Sequence, residues 1–265
     1  MSVAEMPRHA AQWLLLDLPG SAESGLLLRQ HFAAIHCQAL FESTDLHSLS
    51  GHGPLLVALD QHSPLVALSQ SDPQAWPGLF LVSAAPLQEL LTHLRRMLTV
   101  TLGLHYKGLL SYYNPQTASY FFDACDAREL SSWLGPISQL YWYGGTWADK
   151  AVGSLGWQHL VNPRLAGSQL VIEPGLSRRQ QDKLQTCLLE RHAYYWSRST
   201  GSDYSTIWCH LEEGLKHGFR DNAVLDDWLQ LRLRYPTASV PERLSGSTPR
   251  ERLEHLRHTW EGHRP

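Results

Sequence analysis

LFLVSAAPLQELLTHLRRMLTVTLGLHYKGLLSYYNPQTASYFFDACDARELSSWLGPISQLYWY, residues 79–143, reads as strand, helix, two strands, two short helices and strand. Residues 79–82 are a short apolar run that ends at Ser83, and Pro86 then opens a segment with Leu87, Leu90, Leu91, Leu94 and Leu98 at helical spacing. Residues 100–104 and 106–112 are rich in β-formers, are separated by little more than His105, and stop at Asn114-Pro115, as a hairpin would. The Phe121-Phe122 patch follows. A helix over 126–134 is capped by Asp126 and ended by Gly135-Pro136, and residues 137–143 form the closing strand.

On the N-terminal side the alternation continues. Residues 13–18 form an apolar run ended by Asp17 and Pro19-Gly20, and Leu26, Leu27, Leu28 and Phe32 follow at helical spacing. Residues 35–40 predict a second strand, Ser43-Thr44-Asp45 supplies cap chemistry for a short turn of helix ending at Gly51, and residues 55–59 form another strand. Leu65, Val66 and Leu68 make a short helix before Ser71-Asp72-Pro73. Strands and helices in this order predict a mixed α/β lobe, with helices packed on a sheet, over residues 13–145.

On the C-terminal side the pattern changes. Glycines 144, 145, 153, 156, 167 and 175 interrupt short apolar pieces, which marks residues 146–176 as a glycine-rich junction of loops or short hairpins. From Ser177, a plausible N-cap, Leu184, Cys187, Leu188 and Tyr195 share one helical face, while Arg178, Arg179, Lys183 and Arg191 share the other. A second helix carries Ile207, Leu211 and Leu215 and ends at Gly218; a third, capped by Asp221, runs from Val224 to Pro236. Three helices with short loops predict a helical lobe over 177–236 packed as an antiparallel bundle. Residues 1–12 read as an N-terminal extension. Residues 237–265 read as a mobile tail, in which 249–260 can form an amphipathic helix through Leu253, Leu256 and Trp260.

At 265 residues the length favours one domain with an appended lobe. The net charge of −3, with no Lys/Arg block, argues against nucleic acid or acidic lipid as the principal partner. The start Met1-Ser2-Val3-Ala4-Glu5 lacks a basic region followed by a long apolar one, and no stretch approaches the roughly 20 apolar residues of a membrane span, so a cytoplasmic protein without membrane insertion is expected. Cys37, Cys125, Cys187 and Cys209 are scattered without a Cys-x-x-Cys pair, which fits reduced, mostly buried thiols.

In this order the residues match a family pattern. Leu16-Asp17, Leu40-Phe41-Glu42, Gly53-Pro54-Leu55-Leu56, His93-Leu94-Arg95-Arg96, Tyr113-Asn114-Pro115 and Gly135-Pro136-Ile137 occur with the order and spacing of the effector adaptors, or effector chaperones, of bacterial type VI secretion systems. The chain resembles that family over residues 13–235. It departs from it where Ser111 and Asn114 replace the arginine and aspartate of an Arg-x-Tyr-Asp-Pro pattern. The resemblance implies a non-catalytic cytosolic protein that holds one cognate toxin effector and helps load it onto the valine-glycine-repeat (VgrG) spike.

Fifteen histidines invite a metal, but His31, His36 and Cys37, His47 and His52, Cys187 and His192, and Cys209-His210 lack the ligand spacings of a zincin helix or a zinc finger. No Gly-x-Ser-x-Gly elbow surrounds Ser83, no thiol-protease context surrounds Cys37 or Cys125, and no phosphate-cradling glycine loop exists. No cofactor, metal or catalytic residue is assigned. Asp123 with Asp126 and Asp226 with Asp227 suit helix caps and solvated faces. Ten tryptophans and ten tyrosines exceed what a core of this size needs, and such rings make good interface anchors. The candidate partner-binding residues are Tyr112, Tyr113, Trp142, Trp147, Tyr195, Trp196 and Phe219, placed in a groove between sheet and bundle that grips a client segment. Two alternatives stay open on the residues: a hydrolase using a Cys/His or Asp pair in that groove, and a structural or regulatory interaction module.

Overall fold

A period of two in the apolar residues builds the first of two units, Met1–Leu188; the second is Leu189–Pro265. The computed structural model describes residues 2–3, 11–17, 37–60, 63–102, 106–165, 175–241 and 244–262. The helix expected at Leu26, Leu27, Leu28 and Phe32, together with His31 and His36, lies outside the described residues.

The first unit is α/β. Strands β1 (Ser2–Val3), β2 (Trp13–Leu16), β3 (Cys37–Ala39), β4 (Leu55–Ala58), β5 (Gly78–Val82), β8 (Gln139–Gly144) and β9 (Gly156–Val161) form one sheet in the order β1-β9-β8-β5-β2-β4-β3, every neighbouring pair antiparallel. Strands β6 (Thr99–Leu102) and β7 (Tyr106–Leu109) form a separate antiparallel pair. Alternation sends Leu15, Leu79, Leu81, Leu140 and Trp142 to an inner face. There they meet Leu90, Leu91 and Leu94 of α2 (Leu87–Arg96), Phe121 and Phe122 of α3 (Pro115–Asp123), and Trp133 and Leu134 of α4 (Ala127–Leu134). Leu14, Leu16, Val57, Phe80 and Tyr141 point to the outer face, where Leu65 of α1 (Pro64–Ser71) covers them.

The stop and start signals work as their chemistry requires. The Asn114 side chain accepts from the Thr117 N–H at 3.0 Å while Pro115 occupies the first turn of α3. Asp126 and Glu129 form a reciprocal capping box on α4. Ser43 does not cap a helix: a 3-10 turn at His47–His52 follows Leu46 with no side-chain cap, because the Thr44 hydroxyl accepts from the Leu46 N–H in the preceding turn instead.

Two boundaries need correction. Residues 146–176, read as a junction of loops or short hairpins between lobes, hold α5 (Trp147–Val152) and the six-residue β9, which pairs antiparallel with β8, both inside the first unit. The Thr146–Asp149 capping box starts α5, and the Gly144–Gly156 pair begins the β8–β9 ladder, so the glycines here serve a strand. Of residues 1–12, read as an extension, the described ones join the sheet: β1 pairs with β9, and the Gln12 side chain accepts from the Ser83 N–H at 2.9 Å.

The second unit is helical. It takes the chain from Leu189 within α6 (Arg178–Thr200), then α7 (Tyr204–Lys216), α8 (Asn222–Arg234) and α9 (Pro249–Gly262). Asp203 and Asp221 cap α7 and α8. Its core gathers Ala193, Ile207, Leu211, Phe219, Leu225, Trp228, Leu229, Leu253, Leu256 and Trp260. Residues 237–265 therefore are not simply a mobile tail: α9 is a fourth helix whose apolar stripe is buried, because Leu253, Leu256 and Trp260 fall on one face at helical spacing. Gly214 permits the close approach of α7 to Trp228, whose ring lies 2.5 Å from where a Cβ would stand.

Candidate partner-binding surface

The structure separates the seven aromatic residues expected to hold a partner. Tyr112, Tyr113, Trp142, Trp147 and Phe219 are interior, which corrects their assignment as surface anchors. Each is held there by its own partners. The Tyr112 hydroxyl donates to the Leu94 carbonyl at 2.9 Å, and Tyr113 packs edge-on against Phe41. Trp142 points to the inner face and donates from Nε1 to Ser119 Oγ at 2.9 Å. Trp147 lies under the Lys150 ammonium, 5.1 Å from its ring, and its backbone N–H donates to the Tyr120 hydroxyl. Phe219 packs against Trp228 in the helical core. Only Tyr195 and Trp196 keep surface: Tyr195 is 58% exposed, and Trp196 is half-buried with its Nε1 donating to Asp226 Oδ1 at 2.7 Å.

Other rings occupy the surface instead. On the outer face of the sheet, Trp157 of β9 lies 5.7 Å from Tyr143 and 5.9 Å from Phe80, and His159 stacks on Tyr141 at 4.2 Å with the planes 4° apart. Gln139 joins the stack, its Oε1 accepting from the Tyr141 hydroxyl and lying 3.2 Å from His159 Nε2. Tyr143, Trp157 and His159 are half-buried, and Val161 at the end of the row is 58% exposed. Burial pushes the Tyr141 phenol up and the His159 imidazole down, so both rings are favoured in their neutral forms. Within each strand the alternation was legible in the sequence, but the row itself comes from the β8–β9 register, which sets Tyr141 opposite His159 and Tyr143 opposite Trp157.

The titratable groups closest to chemistry serve the fold. His93 is buried, its Nε2 lies 2.9 Å from the Trp133 carbonyl, and burial lowers its pKa to about 4, with the Arg96 charge adding to the fall. Burial drives the Cys125 thiol up to about 12, where it is inert as a nucleophile, even though Gln180 donates a hydrogen bond to its sulfur. Asp17 is raised by burial and receives the Asn114 amide at 2.8 Å. The expectation of mostly buried thiols is corrected as well: Cys187 is buried and Cys125 half-buried, but Cys37 and Cys209 are exposed, all four free. His192 faces Asp226 at 3.1 Å, and among the described residues no three His, Cys, Asp or Glu side chains converge to hold a metal. Among the same residues no helix is long and apolar enough to cross a membrane.

With this geometry in view, residues 12–132, a little under half of the chain, match the family described as "Domain of unknown function (DUF4123)". The match begins just before β2 and ends within α4, so it covers the half of the sheet from β5 to the β3 edge and the helices on its inner face. No curated protein and no solved structure matches the chain.

Proposed function

We propose that the chain is a non-catalytic cytoplasmic adaptor that binds a cognate type VI secretion toxin effector and promotes its loading onto the VgrG spike. The observation that carries this reading is the match over residues 12–132, which spans Leu16-Asp17, Leu40-Phe41-Glu42, His93-Leu94-Arg95-Arg96 and Tyr113-Asn114-Pro115, most of the strings on which the resemblance to effector adaptors rests. The states of His93 and Cys125 support it further, since one is a neutral hydrogen-bond partner of a backbone carbonyl and the other a protonated thiol. Holding a client needs surface. The half-exposed rings of the outer sheet face, and separately Tyr195 in the helical unit, offer apolar area with polar edges of the kind that interfaces use.

Steric shielding of an apolar client segment before export is the physical content of the role, and binding to the folded chain stabilises both partners by mass action. Co-expression with a candidate toxin from a neighbouring gene, followed by size-exclusion chromatography and a pull-down from the native cell, tests it. Toxin and chain are expected to elute together and the spike to be recovered with them. Separate elution, with neither toxin nor spike recovered, overturns the reading.

A further inference from the structure

The two ends of the seven-stranded sheet are finished differently. At one end β3 is guarded: Arg95 of α2 donates from Nε to the Leu40 carbonyl at 3.2 Å and from Nη2 to the Ala39 carbonyl at 3.4 Å. By the period of two the Leu40 groups turn toward β4, where the Leu40 N–H donates to the Pro54 carbonyl, and the Ala39 carbonyl turns outward, so the guanidinium occupies an acceptor that an incoming strand would need. Toward the other end, β9 reads Gly-Trp-Gln-His-Leu-Val and contains no Lys, Arg, Asp, Glu or Pro. None of the usual sequence devices against strand addition is present in it.

The ladder fixes which groups of β9 are available. The Asn162 N–H donates to the Ser138 carbonyl, so by the period of two Leu160, Gln158 and Gly156 turn their backbone groups toward β8. Trp157, His159 and Val161 turn theirs away. On that side β1 is seated antiparallel, Ser2 opposite His159 and Val3 opposite Gln158, and among the described residues nothing is set against Trp157 or Val161. The edge thus already accepts an antiparallel strand at Gln158 and His159.

We propose that the outer edge of β9 is a strand-acceptor site, at which an extended segment of the client polypeptide with apolar residues at alternate positions adds antiparallel, displacing β1. The chemistry selects the occupant. The outward N–H and C=O groups recur every second residue, about 6.8 Å apart, a spacing that an extended backbone matches and a helix does not. Alternate side chains of the added strand fall beside Trp157, His159 and Val161 on the outer face, which are only half-covered, so apolar residues there gain burial. The inference deepens the adaptor reading and rests on it for the nature of the client.

The test uses the full chain and a synthetic peptide, Lys-Val-Thr-Val-Thr-Val-Thr-Lys, with a second peptide in which the central valine is replaced by proline. Residue-resolved amide hydrogen exchange should show the Trp157 and Val161 amides slowed at least tenfold by the first peptide and unchanged by the second. Val161→Pro removes an outward N–H without removing a bond to β8, and should abolish the effect while the far-ultraviolet spectrum stays the same. Unchanged exchange at both amides, or slowing at residues 37–40 instead, overturns the proposal. If the toxin co-elutes but the β9 amides exchange as in the free chain, the edge site fails and the adaptor reading stands; if no toxin co-elutes and the peptide still protects both amides, the reverse holds.

Discussion

His93 shows how a single residue sets a pH limit. The Trp133 carbonyl can only accept, so the neutral ring carries its proton on Nε2 and turns Nδ1 toward Arg96 Nη2, 3.4 Å away. Gly135, at φ 51°, passes so close that a Cβ there would lie 2.3 Å from the ring, which leaves the imidazole no room to reorient. Protonation would place a cation beside Arg96 in a buried site, hence the pKa near 4 against 6.5 for the free side chain. The unfolded chain binds this proton more tightly. The associated stability is therefore complete above pH 6.5 and is lost as pH falls from 6.5 to 4, by on the order of 3 kcal/mol for a shift of about 2.5 units. Urea unfolding at pH 7.5, 5.5 and 4 should show His93→Gln, whose amide can still donate to Trp133, losing less stability over this range than the wild type. Parallel pH profiles would refute it.

At the scale of elements, α9 has the clearest energetic role. Trp260 lies 6.1 Å from Trp228 and 6.0 Å from Tyr235, donates from Nε1 to the Ser239 carbonyl, and carries the Arg232 guanidinium 5.7 Å from its ring. Arg232 in turn pairs with Glu213 and donates to the carbonyls of Tyr235 and Ala238, so one side chain joins α7, α8 and the segment leading to α9. Trp260→Ala should cost about 3–5 kcal/mol, the usual range for deleting a packed aromatic. A fall in the urea midpoint with an unchanged slope would register it, and a variant as stable as wild type would show α9 to be dispensable. The spacing of Leu253, Leu256 and Trp260 carried this helix in the sequence, but the Pro- and Ser-rich linker before it suggested a mobile end. The aromatics erred in the opposite direction. Adjacent rings point to opposite faces only inside a strand, whereas Tyr112 and Tyr113 stand in the turn before α3, where both side chains go inward. The strands and the caps at Asn114, Asp126, Asp203 and Asp221 depend on local spacing, and of these Asp126 and Asp221 were legible as caps in the sequence. The surface row of Tyr143, Trp157 and His159 depends on which two strands pair, a long-range fact that only the fold supplies.

For the whole molecule, the presence of two hydrophobic centres in two units raises the question of whether the chain unfolds as one body. The sheet unit is organised around Leu15, Leu81, Phe121 and Trp142, and the helical unit around Leu211, Trp228, Leu229 and Leu256, with the boundary between Leu188 and Leu189 inside α6. A helix that runs through a boundary can transmit unfolding from either side, but most of its stability comes from the face it packs, and here each portion has a core of its own. Trp228 is the sharpest probe: it is fully buried, its ring fills the space left by Gly214, and its Nε1 donates to the His210 carbonyl at 2.6 Å. Trp228→Ala should destabilise the helical unit by about 3–5 kcal/mol, which corresponds to a 10²–10³-fold or greater acceleration of amide exchange in α7, α8 and α9. Amides of β5, β8 and α3 should keep their wild-type protection if the sheet unit is an independent cooperative body. Equal acceleration in both sets would instead make the chain a single folding unit, and loss of a client bound to the sheet edge could then follow from damage anywhere in the helices.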